Sequence, residues 1–125
     1  MSYTLTVMEK NGLRCALATA KEVILSTPQD ALDLLGSVRF NEKCDCIILE
    51  KSCVDEAFFK LSTGVAGEIL QKFTNYYMRL AIVGDFSGYE SRSLKDFIYE
   101  SNKAGRIIFT ASADEAMNRF LETQS

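Results

Sequence analysis

Hydrophobic and polar positions alternate at the start of the chain. Tyr3, Leu5 and Val7 share one face over residues 3–9, and Leu13, Cys15 and Leu17 share one over residues 13–18. A period of two is that of a strand with one face covered. Between the two runs lies Lys10-Asn11-Gly12. Asn-Gly supplies the positive φ angles of a type I′ turn, so the segment predicts a β-hairpin. Val23-Ile24-Leu25 predicts a short third strand.

The period then lengthens. Thr27-Pro28-Gln29-Asp30 has a capping residue, a proline suited to the first helical position and an acid that complements the helix dipole. Ala31, Leu34 and Leu35 form the apolar face of that helix, and Gly36 is its expected stop. Cys46-Ile47-Ile48-Leu49 is a continuous apolar run ending in Glu50, the pattern of a strand covered on both faces. Residues 55–60 predict a helical turn around Phe58 and Phe59. A longer helix is expected from about Gly64 to Tyr76, with Val65, Ile69 and Phe73 spaced i, i+4, i+8.

Leu80-Ala81-Ile82-Val83-Gly84 predicts a second buried strand ending at Asp85. Ser91 to Gly105 predicts a helix with Leu94, Phe97, Ile98 and Ser101 inward, and residues 106–109 a last strand. Ser112-Ala113-Asp114-Glu115 is a capping box that opens a final helix, with Ala116, Met117, Phe120 and Leu121 inside. No linker, repeat or low-complexity stretch interrupts this order. The pattern predicts a single α/β domain over residues 1–125. Its mixed central sheet combines an antiparallel N-terminal hairpin with parallel strands, and helices pack on it.

Composition narrows the function. With 47% hydrophobic and 25% charged residues, the chain has the balance of a soluble globular protein. Its apolar runs are too short to span a bilayer. Met1-Ser2-Tyr3-Thr4-Leu5-Thr6 lacks the basic start and apolar run of a leader, so a cytoplasmic setting is expected. Net charge is −3 and Lys and Arg are scattered, which disfavours nucleic-acid binding. The sequence contains no histidine. Ser-His and Cys-His nucleophile pairs are therefore excluded, and the commonest general base and metal ligand are missing.

The cysteines are Cys15, Cys44, Cys46 and Cys53. In a reducing cytoplasm they are expected as free, buried thiols. Cys44-Asp45-Cys46 with Cys53 lacks the paired C-x-x-C spacing of zinc sites, so no metal and no cofactor are expected.

Chemistry concentrates at two places. Glu50 and Asp85 end two strands, where paired carboxylates can divide acid and base roles or share Mg²⁺. Leu61-Ser62-Thr63-Gly64-Val65-Ala66-Gly67 places two hydroxyls and a glycine where a loop becomes a helix. Such a junction presents unpaired N–H groups to a phosphate, and Ser62 and Thr63 are also natural N-caps. In sheets of this kind, ligands lie beyond the carboxyl ends of the parallel strands, where Ser87 and Ser91 on the next loop join these groups. Glu68 and Lys72 are spaced for a surface ion pair, and Glu100, Asn102 and Arg106 are expected in solvent.

Ser62-Thr63-Gly64-Val65-Ala66-Gly67 resembles the signature of the STAS domain of anti-sigma factor antagonists. The following order of helix, strand, helix, strand and helix is similar too. The resemblance implies a STAS-like fold, and phosphorylation at Thr63 as a switch for a protein partner. Leu61 stands where that signature has Asp. Over nearly its full length the chain also resembles a bacterial family catalogued as a domain of unknown function. That likeness is carried by Thr63-Gly64, Ala66-Gly67-Glu68, Gln71-Lys72-Phe73, Val83-Gly84-Asp85-Phe86, Glu100-Ser101-Asn102 and Gly105-Arg106. It implies a bacterial cytoplasmic protein and brings no activity with it.

The expected function is a non-enzymatic regulatory or binding module. A protein partner or small anionic ligand would dock near Ser62, Thr63, Gly64, Asp85, Ser87 and Ser91. The alternative is a small hydrolase or transferase using Glu50 and Asp85, with Mg²⁺. Pairing of two copies through the edge of the hairpin is a third expectation.

Overall fold

The computed structural model describes residues 3–123; Met1 and Ser2, the first residues of the segment read for a leader, lie outside it. The hairpin forms as the alternation predicts. Thr4–Lys10 (β1) pairs antiparallel with Leu13–Thr19 (β2), and the turn residues Asn11 and Gly12 have φ of 49° and 86°. Leu5 and Val7 lie opposite Ala18 and Ala16 on one sheet face, while Leu13, Cys15 and Leu17 belong to the other.

Val23-Ile24-Leu25 is not a strand. Leu25 makes one isolated parallel bridge to Val54, and the N–H groups of Ile24 and Leu25 both donate to the Cys53 carbonyl, at 2.8 and 3.1 Å. The apolar side chains of Ile24 and Leu25 are buried, and with the Asp55 N–H donating to the Leu25 carbonyl at 3.0 Å the backbone is tied to residues 53–55 by one bridge and not by a ladder.

Helix α1 spans Pro28–Gly36 and carries the predicted cap, completed as a capping box with Asp30. Gly36 does not stop it. Its φ of −61° is right-handed, and the chain continues as a π-helix over Ser37–Asn41. Glycine ends a helix by adopting the left-handed conformation, and nothing here forces it to.

Strand β3 (Cys46–Glu50), helix α2 (Val65–Asn75), strand β4 (Arg79–Val83), helix α3 (Arg92–Ala104), strand β5 (Ile107–Thr110) and helix α4 (Ala113–Glu122) complete the order. Short 3₁₀ turns at Lys51–Cys53, Glu56–Phe59 and Leu61–Thr63 fill the connection between β3 and α2.

The five strands lie in the order β1-β2-β3-β4-β5, with β2 to β5 parallel. Successive parallel strands in sequential order need crossovers of one hand, which bring their helices to one face. Leu34 of α1, Ile69 and Phe73 of α2 and Leu94 of α3 accordingly share a core with Ile47, Leu49, Leu80 and Ile82. The opposite face, with Cys15, Cys46, Ile48, Ala81 and Ile108, is covered by Ala116, Met117 and Phe120 of α4. The strand order never reverses, so the sheet has no topological switch point.

The cysteines are buried but not all free. Cys15 and Cys46 face each other in the β2–β3 register, with Cα atoms 4.8 Å apart, and form a disulfide. That spacing lies within the range a disulfide bridges. The expectation of four thiols fails because it ignored which strands become neighbours. Cys44 and Cys53 remain free. Among the described residues no group of three or more His, Cys, Asp or Glu could hold a metal ion, and no helix is long and apolar enough to cross a membrane.

Candidate functional site

Glu50 is the last residue of β3 and is exposed. Strand β4 ends at Val83, and the Gly84 N–H is held by the Thr110 carbonyl at 2.9 Å, which places Asp85 just past the sheet. The two acids line one open groove of about 510 Å³, together with Lys51, Ser52, Val83 and Gly84. A neighbouring hollow of about 530 Å³ runs from Asp85 and Phe86 over Phe109 and Thr110 to Glu115. The two strand-end carboxylates that the sequence singled out thus share a groove.

Asp85 is tied down locally. Its Oδ1 accepts hydrogen bonds from the Ser87 N–H at 2.9 Å and the Ser87 hydroxyl at 2.6 Å. Those bonds first, and the Lys51 charge second, hold its carboxyl below the usual carboxylate range. Lys51 passes close beneath Gly84, where a Cβ would stand 2.7 Å from the Lys51 Cβ. Its Nζ lies 3.8 Å from Glu56 Oε1 and 5.0 Å from the centre of the Tyr89 ring. The interaction with the Tyr89 side chain, aided by the charges of Glu56 and Asp85, raises the Lys51 ammonium above its ordinary value. Tyr89 donates its hydroxyl to Glu56 Oε2 at 2.6 Å. Burial, and then that bond, push its phenol up.

Aromatic rings floor this cluster. Phe59 stacks on Tyr89 at 5.3 Å between centres and approaches Phe86 at 6.0 Å; Phe86 meets Phe109 edge-on at 5.4 Å. Sequence reasoning did not single out Lys51, Glu56 or this role of Tyr89. Lys51 and Glu56 share the connection after β3 while Tyr89 lies on the loop after β4, and no spacing in the chain announces their meeting.

The hydroxyl–glycine junction sits apart from the groove, whose lining includes none of Ser62, Thr63 and Gly64. All three are exposed. The N-cap of α2 is Gly64, left-handed at φ 79°, and no side chain fills the usual capping role there. The Thr63 hydroxyl lies 2.8 Å from both the Ala57 and Lys60 carbonyls, between which its single hydrogen is shared, and accepts from the Val65 N–H at 3.2 Å. Thr63 therefore satisfies one helical donor from a position upstream of the cap. Ser91 caps α3 through the Leu94 N–H at 3.2 Å.

Two surface readings change. Glu68 and Lys72 form none of the ion pairs among the described residues. Asn102 is not simply solvated, because its amide donates to the Phe109 carbonyl at 3.2 Å and accepts from the Phe109 N–H at 2.7 Å.

A family profile described as Domain of unknown function (DUF4180) matches residues 10–120. No curated protein and no solved structure matches the chain.

Proposed function

This chain belongs to the DUF4180 family, and from that starting point we propose that it is a non-enzymatic regulatory module that docks a protein partner over the carboxyl rim of its sheet. One observation carries the reading: Lys51, Asp85 and Tyr89 at the rim are already answered from within the chain. Asp85 is held by Ser87, and Lys51 and Tyr89 by Glu56. Asp85 is shifted down while Lys51 and Tyr89 are shifted up. Each shift moves the group away from neutrality, whereas proton-transfer catalysis favours groups poised near the working pH. A surface of fixed charges over half-buried rings suits recognition better than turnover.

Thr63 is the proposed control point. A phosphate on its hydroxyl would remove the hydrogen it shares with the Ala57 and Lys60 carbonyls, leaving them only the backbone bonds from the Lys60 and Thr63 N–H groups. The 3₁₀ turn so loosened carries Glu56 and Phe59, which contact Lys51 and Tyr89 at the rim. This reading takes residues 1–125 as one STAS-like domain of bacterial type, in keeping with the likeness of the Ser62–Gly67 turn. It also allows two copies to pair along the edge strand β1.

The test is mass spectrometry of the protein purified from its own cells in growth and under stress, joined to photo-crosslinking from position 87. Phosphate on Thr63, and a single crosslinked protein lost in Thr63→Glu, are the expected results. Unmodified Thr63 and Ser62 in every condition would remove the switch.

The groove shared by Glu50 and Asp85 favours a second reading, a Mg²⁺-assisted hydrolase or transferase. Calorimetric titration with Mg²⁺ decides it: no heat beyond that of the Glu50→Gln, Asp85→Asn double variant eliminates the reading.

A further inference from the structure

At the opposite rim, where the parallel strands begin, lies a pocket of about 250 Å³ lined by Gly12, Leu13, Arg14, Lys43, Asp45, Cys46 and Arg79. Its charge is unlike that of the molecule. The chain has net charge −3, yet this lining holds three cations, Arg14, Lys43 and Arg79, against one carboxylate, Asp45.

The cations differ in how they are answered. Arg14 pairs with Glu9 at 2.9 Å, and Asp45 is itself engaged by Arg39 at 3.5 Å. Lys43 and Arg79 form no ion pair among the described residues. Lys43 has only the Phe40 carbonyl, at 3.4 Å. Arg79 lies over the Phe120 ring at 4.4 Å and spends one nitrogen on the Phe120 carbonyl and Thr123 hydroxyl, both at 2.6 Å. A half-buried guanidinium without a carboxylate is costly unless an anion completes it.

The walls are held in place. The Cys15–Cys46 disulfide joins the residues that directly follow Arg14 and Asp45 in sequence. The Arg79 N–H is bonded to the Asp45 carbonyl at 3.2 Å. Lys43 occupies a left-handed backbone position, φ 58°, uncommon for a residue with a side chain. Cations carried on a fixed backbone around a small concavity are an arrangement that recognises a compact dianion.

We infer that this pocket binds a phosphate group, free or as the head of a small phosphomonoester, between Lys43, Arg79 and Arg14. Two cations without carboxylate partners match the two negative charges of phosphate near neutral pH. The volume is just below the usual range for small-molecule pockets, enough for the group and a short carbon skeleton. The site is independent of the carboxyl-rim reading and stands or falls separately.

Calorimetry and thermal unfolding of the full chain, with inorganic phosphate and glycerol 3-phosphate as probes at matched ionic strength in chloride, test it. Saturable phosphate heat and a rise in Tm that chloride does not give are expected. Lys43→Met, which alters a surface side chain, should weaken binding about tenfold, the scale of one charge-assisted hydrogen bond, while the unliganded Tm stays put. Asp45→Asn should tighten it. Tighter binding of glycerol 3-phosphate assigns the site to a monoester, and equal binding to the free ion. Phosphate and chloride acting alike, or Lys43→Met and Arg14→Gln both leaving the affinity unchanged, would overturn the assignment.

Discussion

At Gly84 the side chain is excluded by a neighbour and not by backbone angle. A Cβ there would meet the Lys51 Cβ at 2.7 Å and its Cδ at 3.2 Å. The nearer atom adjoins the backbone and cannot swing aside. Gly84→Ala is expected to cost about 1–3 kcal/mol, the usual range for forcing extra volume into a packed site, and to displace Lys51 from Tyr89. Gly67→Ala should act with the opposite sign. Gly67 sits inside α2 with open space where its Cβ would go, so the change should stabilise by about 0.5–1 kcal/mol through helix propensity. Urea midpoints of the two variants read both effects. The sequence shows both glycines in suggestive settings, one at a strand end and one in a hydroxyl–glycine turn. It cannot tell them apart, because the atom that decides Gly84 belongs to a residue 33 positions earlier.

The helix starts at Thr27, Ser91 and Ser112 were legible because capping is a transaction among residues three apart. Thr27 accepts from the Asp30 N–H at 3.1 Å and Asp30 returns a bond to the Thr27 N–H at 3.1 Å. Thr27→Ala should cost about 1 kcal/mol, measured by chemical unfolding. Ser91 and Ser112 cap α3 and α4 at the positions expected. Elements whose fate is set from afar were not legible. Residues 23–25 have strand composition, but only Val54 is there to pair with. Asn102 looks like a solvent-facing helix residue, yet α3 presents it to β5 as a substitute strand. It satisfies the N–H and the carbonyl of Phe109 on a sheet edge. Asn102→Ala leaves both groups without that partner and should cost about 1–3 kcal/mol. Hydrogen exchange should show the Phe109 amide losing protection before those of β3.

Across the whole molecule, the class of fold could be read from the change of period along the chain, while the strand order and the disulfide could not. Both depend on which strand lies beside which. The Cys15–Cys46 bond closes a loop of separation 31, worth about 3–4 kcal/mol on the chain-entropy scale. Alkylation of the unfolded, unreduced protein should label Cys44 and Cys53 and spare Cys15 and Cys46 until a reductant is added. The carboxyl rim makes the stability depend on pH in a defined sense. Lys51 and Tyr89 have folded-state pKa values raised above their ordinary ones. Their contribution is full below the unfolded values, about pH 10, and is lost as pH rises through the folded values. Asp85 is shifted down. Its contribution is full above the unfolded carboxylate value, about pH 4, and is lost as pH falls through the folded one. Stability from this cluster should therefore hold level from about pH 5 to 9 and decline on either side. Tyr89→Phe removes both the titrating phenol and its bond to Glu56, so the alkaline decline should become shallower from a lower plateau. Ser87→Ala removes the hydroxyl bond to Asp85 and keeps the backbone one, so Asp85 is depressed less and the acid decline should begin at higher pH. Equilibrium unfolding across that range, for the parent and both variants, separates the two limbs; parallel curves for all three proteins would mean that the rim does not couple protonation to folding.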